Sequence, residues 1–217
     1  MSLKKNFIEF MISAGVLTFG DFTTKSGRKT PYFINTGNYR TGAQISQLGD
    51  YYADCIIQSG ERFDVLFGPA YKGIPLSVAA ASSLYRNHGL DVPYCFNRKE
   101  MKDHGEGGAI VGYQPKAGDR LAIIEDVVTA GTAVRESMEL LAGIAPVRIV
   151  ALFVSADRME RGTGALSALD ELRETLGIKV YPIVTVRDII ESFPAGDGRR
   201  RKMEEYLALY GANRVDA

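Results

Sequence analysis

Apolar positions along this chain fall into two rhythms. In residues 3–14, Phe7, Phe10 and Met11 recur at helical spacing, and Gly15 closes the run. Residues 43–59 repeat the pattern, with Ile45, Leu48, Tyr52 and Ile56 on one face and Gly60 as the stop. Further helices are expected over 74–87, 132–142, 164–176 and 199–210. Between them lie short, almost wholly apolar runs: "FDVLFG" (63–68), "VPYCFN" (92–97), "RLAIIE" (120–125), "VRIVALFVS" (147–155) and "VYPIVTV" (180–186). Runs that are apolar at every position are strands covered on both faces, and their alternation with helices predicts an α/β fold. The expected core is a parallel sheet with helices on both sides. Residues 19–40 are turn-rich and outside this rhythm. The expectation is one domain over 1–217, in which residues 1–40, with a C-terminal region, contribute a small cap.

Composition changes this picture little. The chain has 217 residues, 46% hydrophobic and 24% charged, enough for one good core. Its 26 basic and 26 acidic residues cancel, so no global field points to nucleic acid or an anionic membrane. Anion binding must come from local clusters. Cys55 and Cys95 are scattered thiols without CxxC spacing, which suits a reducing compartment. The N-terminal "MSLKKNFIEFMISAG" is too polar for a signal peptide, and no apolar run approaches a membrane span. A cytoplasmic protein is expected.

The chemistry concentrates in "LAIIEDVVTAGTA" (121–133). A buried strand ends in two adjacent acids, Glu125 and Asp126, and small residues follow before a helix. Ligands bind at the carboxyl ends of strands in open parallel sheets. A turn of small residues lets backbone N–H groups converge on a phosphate at a helix N-terminus. Neither GxxxxGK[ST] nor GxGxxG occurs here, which argues against a nucleoside-triphosphate loop and a dinucleotide fold. A phosphate turn preceded by two carboxylates would suit a phosphorylated ribose. The alternative is an acidic strand end with an ordinary helix-capping turn.

Two other stretches carry candidate chemistry. "GPAYKG" (68–73) follows a strand, and Gly68 and Gly73 would allow close backbone approach to an anion beside Lys72; an ordinary turn with a solvated lysine is the alternative. "NRKEMKDHGEGG" (97–108) crowds Arg98, Lys99, Lys102 and His104 among acids and glycines. It reads either as a solvated charged face or as a mobile flap that closes over a polyanion.

"IIEDVVTAGTA" resembles the phosphoribosyl pyrophosphate (PRPP) signature of the type I phosphoribosyltransferases. Glu125 stands where that family usually has a first Asp. "FTTKSGRKTPYFINTG" (22–37), "FGPAYKGIPL" (67–76), "YCFNRKEMKDHGEGG" (94–108) and "SADRMERG" (155–162) extend the resemblance, in order, to the orotate phosphoribosyltransferases within it. The resemblance implies transfer of a phosphoribosyl group from PRPP to orotate. It assigns Glu125 and Asp126 to the ribose hydroxyls, and Val127, Val128, Thr129, Ala130, Gly131, Thr132 and Ala133 to the 5-phosphate. Tyr71, Lys72, Arg98 and Lys99 would meet pyrophosphate, and Lys102 and His104 would act with Asp126 in catalysis. Lys25, Phe33, Ile34, Thr129 and Arg158 would hold orotate, with Lys25 also near PRPP. It further implies Mg²⁺ held mainly by substrate oxygens, and a homodimer in which the flap over 98–118 is shared between subunits. Neither nucleic acid nor membrane is an expected partner. Another base-specific phosphoribosyltransferase, or a PRPP-sensing regulator on the same fold, remains the alternative.

Overall fold

The computed structural model describes residues 2–24, 27–99, 108–162 and 164–212. Six strands form the main sheet: β3 (Val65–Gly68), β4 (Tyr94–Asn97), β5 (Ile110–Gly112), β6 (Arg120–Glu125), β7 (Arg148–Asp157) and β8 (Lys179–Thr185), in the order β5-β4-β3-β6-β7-β8. All neighbours are parallel except β4 and β5. The sheet is therefore mixed, with an antiparallel edge strand inside the segment expected to be flap throughout. β5 escaped prediction because it is three residues long and follows a glycine-rich charged run.

The apolar runs behave as two-faced strands should. Leu66, Ala122, Ile124, Ala151 and Phe153 point into one core, and Val65, Phe67, Leu121, Ile123, Leu152 and Val154 into another. The second core is closed by α4 (Thr132–Ile144) and α5 (Ala168–Leu176), through Val134, Leu141, Leu169 and Leu172. Onto the first pack α1 (Leu3–Ser13), α2 (Gly42–Ser59), α3 (Gly73–His88) and α6 (Val186–Glu191). A capping box at Thr41 and Gln44 starts α2, and Gly60, at φ 67°, ends it. Gly49 is where α2 meets α3, since a Cβ there would lie 2.6 Å from the Ala79 carbonyl oxygen.

The turn-rich N-terminal segment contains a second sheet. β1 (Leu17–Thr23) and β2 (Lys29–Ile34) form an antiparallel hairpin, with a register shift between Phe19 and Phe22. Gly20 and Asp21 interrupt β1 at that bulge, and Pro31 interrupts β2, which is why no regular alternation announces the strands. The hairpin packs on α7 (Gly198–Tyr210), where the Tyr32 and Tyr206 rings meet edge to face at 6.0 Å. α7 itself buries Met203 and Tyr206 against the hairpin side of the first core.

Candidate active site

The acids end the central strand. Glu125 and Asp126 are both buried, at 9% and 7% exposure. Their backbone is fixed from two sides. The Tyr52 hydroxyl on α2 donates to the Glu125 carbonyl at 2.7 Å. Ser155 on β7 donates to the Asp126 carbonyl through its N–H at 2.8 Å and its hydroxyl at 2.7 Å. The Asp126 N–H in turn donates to Glu125 Oε1 at 3.0 Å.

Two neighbouring carboxylates in one buried place cannot both be comfortably charged. Here they divide the problem. Burial, with the Asp126 charge nearby, pushes the Glu125 carboxyl up to about 7. Burial works against Asp126 as well, but hydrogen bonds from Lys72 and Thr36 outweigh it and hold Asp126 below its ordinary value. Both partners reach the same oxygen: Lys72 Nζ lies 2.7 Å and Thr36 Oγ1 2.6 Å from Asp126 Oδ2. Lys72 itself is 63% exposed, so a mobile cation covers a fixed buried anion. Beside them a cavity of about 440 Å³ opens between the first turns of α2 and α3, lined in part by Thr36, Tyr39, Tyr52, Lys72 and Asp126.

After Asp126 the chain leaves the sheet. Val127 and Val128 are half-buried, Thr129 and Ala130 are exposed, and Gly131 is buried at the N-terminus of α4, with Thr132 and Ala133 exposed beyond it. Gly131 has φ 72°, and a Cβ there would stand 3.1 Å from the Leu172 side chain. No side chain caps α4, so its leading amides remain available to an anion.

The glycines of "GPAYKG" serve a different purpose from the one expected. A Cβ on Gly68 would sit 2.2 Å from the Gly73 carbonyl oxygen, and one on Gly73 would sit 2.9 Å from the Ile124 carbonyl oxygen. They permit the loop to pack on itself and on β6. The consequence for the site is indirect: tight packing brings Lys72 over Asp126. The Ala70–Tyr71 peptide is cis, the Ala70 N–H donates to Asn97 Oδ1 at 2.8 Å, and Tyr71 is 70% exposed.

Of the base-side candidates, Arg158 follows β7, Phe33 and Ile34 end β2, and Thr129 stands in the turn after β6. Arg158 donates through Nε and Nη2 to Glu160 Oε1, at 2.9 and 2.5 Å, and its guanidinium carbon sits 4.7 Å from the Tyr32 ring centroid. Phe33 is 41% exposed and tilted against Phe22 at 5.6 Å. Ile34, next in the strand, is half-buried against the first core. Arg98 is half-buried, with its N–H bonded to the Ala109 carbonyl at 2.8 Å, and Lys99 is exposed. Lys25, Lys102 and His104 lie outside the described residues, as does the part of the expected flap over 100–107.

The structure thus gathers Lys72, Glu125, Asp126 and the turn over 127–133 around one strand end. It also adds residues that the sequence did not single out. Thr36 and Glu160 each sat inside a quoted motif, but their partners are distant in sequence: 90 residues separate Thr36 from Asp126, and 128 separate Glu160 from Tyr32. Among the described residues, no group of three or more His, Cys, Asp or Glu side chains could hold a metal ion. Two adjacent carboxylates are still suitable hard-oxygen donors for an Mg²⁺ that keeps most of its ligands from water and phosphate.

The phosphoribosyl transferase domain family matches residues 35–166. The chain is 58% identical over 189 residues to the orotate phosphoribosyltransferase of Lachnoclostridium phytofermentans, covering 87% of this chain and 84% of that one. It is 50% identical over 219 residues to the orotate phosphoribosyltransferase of Clostridium beijerinckii, covering 96% and 98%. A crystal structure of the orotate phosphoribosyltransferase of Francisella tularensis superposes with a TM-score of 0.86 at 39% identity, over 95% of this chain and 96% of that one. With identity of this order running through almost the whole length on a shared fold, the chain belongs to the orotate phosphoribosyltransferases, within the phosphoribosyl transferase family.

Proposed function

We propose how the residues of this site divide the work of the reaction the protein catalyses. That reaction moves the 5-phosphoribosyl group of PRPP to orotate, giving orotidine 5-monophosphate and pyrophosphate in de novo pyrimidine synthesis. The bond from the ribose anomeric carbon to pyrophosphate oxygen breaks, and an orotate nitrogen bonds to that carbon from the opposite face, its proton passing to water or to the departing pyrophosphate. The protein's contribution is alignment and charge neutralisation.

One observation carries the assignment: a buried carboxylate at the end of the central strand, held by the Thr36 hydroxyl and covered by an exposed lysine. PRPP brings ribose hydroxyls that can donate to Asp126 and a pyrophosphate that attracts Lys72. The pair can therefore exchange partners, each passing to a substrate group of the right kind. Glu125 supports Asp126 on the same strand end. The amides over 127–133 receive the 5-phosphate, and Tyr71, Arg98 and Lys99 stand toward pyrophosphate. Lys25, Phe33, Ile34, Thr129 and Arg158 receive orotate, the arginine forking onto acidic oxygens of the base. Mg²⁺ would bind with PRPP, held mainly by substrate oxygens, and Glu125 and Asp126 are the protein's carboxylates that could add to them. When bound, it offsets phosphate charge that the lysines leave unneutralised. The small-molecule partners are orotate and PRPP; the cytoplasm is the proposed compartment, supported by two unpaired thiols, Cys55 and Cys95.

Orotate absorbance followed with PRPP and Mg²⁺ tests the reading. Consumption of orotate but not of uracil or a purine is expected, and the reverse preference overturns it. The flap is proposed to act across a homodimer, with Lys102 and His104 entering the neighbour's site. Lys102→Ala and Asp126→Ala homodimers should each be nearly inactive. Refolded together in equal amounts, they should recover roughly a quarter of sites, because one site of each heterodimer escapes both defects. No recovery, with heterodimers confirmed by mass spectrometry, places each flap over its own subunit.

A further inference from the structure

The end of β7 holds more than a base-binding arginine. Three donors converge on one oxygen of Glu160: Arg158 Nε at 2.9 Å, Arg158 Nη2 at 2.5 Å and the Tyr32 hydroxyl at 3.0 Å. The arrangement is largely enclosed, with the Arg158 and Glu160 side chains 14% and 15% exposed. A guanidinium has two edges that can fork onto a carboxylate, one made by Nε and Nη2 and one made by the two Nη groups. Glu160 occupies the first. Among the described residues, no acceptor occupies the Nη1 side of the second. The Tyr32 ring lies against the flat face of the same group, at 4.7 Å from its carbon. The ring fixes the plane of the guanidinium and the carboxylate fixes its rotation within that plane.

Glu160 is itself mounted firmly. It forms an antiparallel bridge with Gly211. The residues on either side are tied to the same C-terminal segment, Arg161 N–H to the Tyr210 carbonyl at 3.0 Å and Ala212 N–H to the Met159 carbonyl at 2.8 Å. Met159 takes the left-handed conformation, φ 53°, and its N–H is held by Asp157 Oδ1 at 2.8 Å. Arg28, in the hairpin turn, reaches across to the Arg161 and Gly162 carbonyls at 3.0 and 3.4 Å. Burial pushes the Tyr32 phenol well above its ordinary value, so it remains a donor throughout the working range. The cluster has none of the looseness of a surface ion pair.

We propose that Glu160 is a positioning residue for base selection: it turns Arg158 so that the guanidinium's outer edge is presented to a flat, acidic base. The proposal rests on the reading of Arg158 as the orotate residue. Without Glu160 the arginine keeps its charge but loses its aim, and a charge without aim discriminates poorly between a base that offers paired acidic oxygens and one that does not.

The test compares Glu160→Gln, Glu160→Ala and Arg158→Ala in steady-state assays with orotate and with uracil, alongside thermal unfolding. Glu160→Gln keeps the shape and one acceptor oxygen, so it guards against a variant that fails to fold. Glu160→Ala is expected to raise the orotate KM about tenfold, in the range of one lost charged hydrogen bond. Its kcat and PRPP KM should stay within about twofold, and the ratio of orotate to uracil turnover should fall. Glu160→Gln should recover part of the loss. An orotate KM unchanged in both Glu160 variants while Arg158→Ala raises it overturns the positioning role alone. A lower orotate KM overturns it too, since Glu160 would then merely compete with the ligand for the guanidinium. Parallel loss in PRPP and orotate parameters with a lowered Tm assigns Glu160 to structure only. If Arg158→Ala leaves the orotate KM untouched, the reading of Arg158 itself falls.

Discussion

The ends of β6 and β7 each carry an ion pair, and the two pairs are built in opposite ways. At β6 the fixed partner is the anion: the Asp126 side chain is 10% exposed, while that of Lys72 is 63% exposed on a long arm. At β7 both partners are enclosed, and a tyrosine ring and a hydroxyl complete the cluster. An exposed lysine contributes little to stability and gives up its contact readily. An enclosed arginine held by a carboxylate and an aromatic ring does not. On the proposed assignment, the comparison separates two uses of one interaction: a placeholder for substrate to displace, and a mount set before substrate arrives.

The largest test of that contrast is Asp126→Asn, nearly isosteric and expected to leave the fold intact. Losing charge-assisted hydrogen bonds to ribose should cost about 1.5–3 kcal/mol in kcat/KM for PRPP, roughly a 10–150-fold loss. PRPP kinetics that do not change would remove Asp126 from the site.

Lys72→Met tests the placeholder directly. Stability should drop by about 1–3 kcal/mol, since the lysine is exposed but the carboxylate it leaves is buried with Thr36 as its remaining side-chain partner; a larger loss would erase the distinction from Arg158–Glu160. The pH dependence carries a further sign. Asp126 is depressed in the folded state, so its contribution is present above the unfolded carboxylate value of about 3.9 and is lost as pH falls through the folded one. Removing Lys72 raises the folded value. The acid limb of the PRPP kcat/KM profile should therefore move to higher pH.

The smallest expected effect belongs to Glu125→Gln, which keeps the oxygen that accepts the Asp126 N–H. Glu125 is raised in the folded state to about 7. Between the unfolded value of about 4.3 and that point, the folded chain holds a proton that the unfolded chain has released, so stability falls as pH rises. The variant escapes that fall. Its Tm advantage over the parent should be near zero below the unfolded value, grow through the window and level off above it. An advantage that shrinks with rising pH would contradict the division of charge between the two acids.

How much of this was readable depended on how local each signal is. β6, its two acids and the small-residue turn are contiguous, and every position from Leu121 to Ile124 is apolar, so strand, strand end and turn could be placed together. Gly60 ended α2 as its position suggested. The hairpin was hidden by its bulge and by Pro31, and α6 by its length of six residues. Gly68 and Gly73 looked like ligand-approach glycines because a sequence gives no hint of what a Cβ would strike; only the fold shows the Gly73 and Ile124 carbonyls there. Thr36 and Glu160 were invisible for a related reason. A hydroxyl or a carboxylate acquires its role from a partner, and their partners lie on other elements.

One consequence of the hairpin's separateness concerns exchange with solvent. Its two strands form their own sheet, apart from the six-stranded one, and a two-stranded sheet by itself is only marginally stable. Its amides should therefore lose protection to deuterium well before those of β6, through an opening that leaves the central strands closed. Such breathing would loosen Tyr32 from Glu160 while Asp126 stayed in place. On the proposed assignment, such an opening would release the base while the sugar-phosphate residues kept their places.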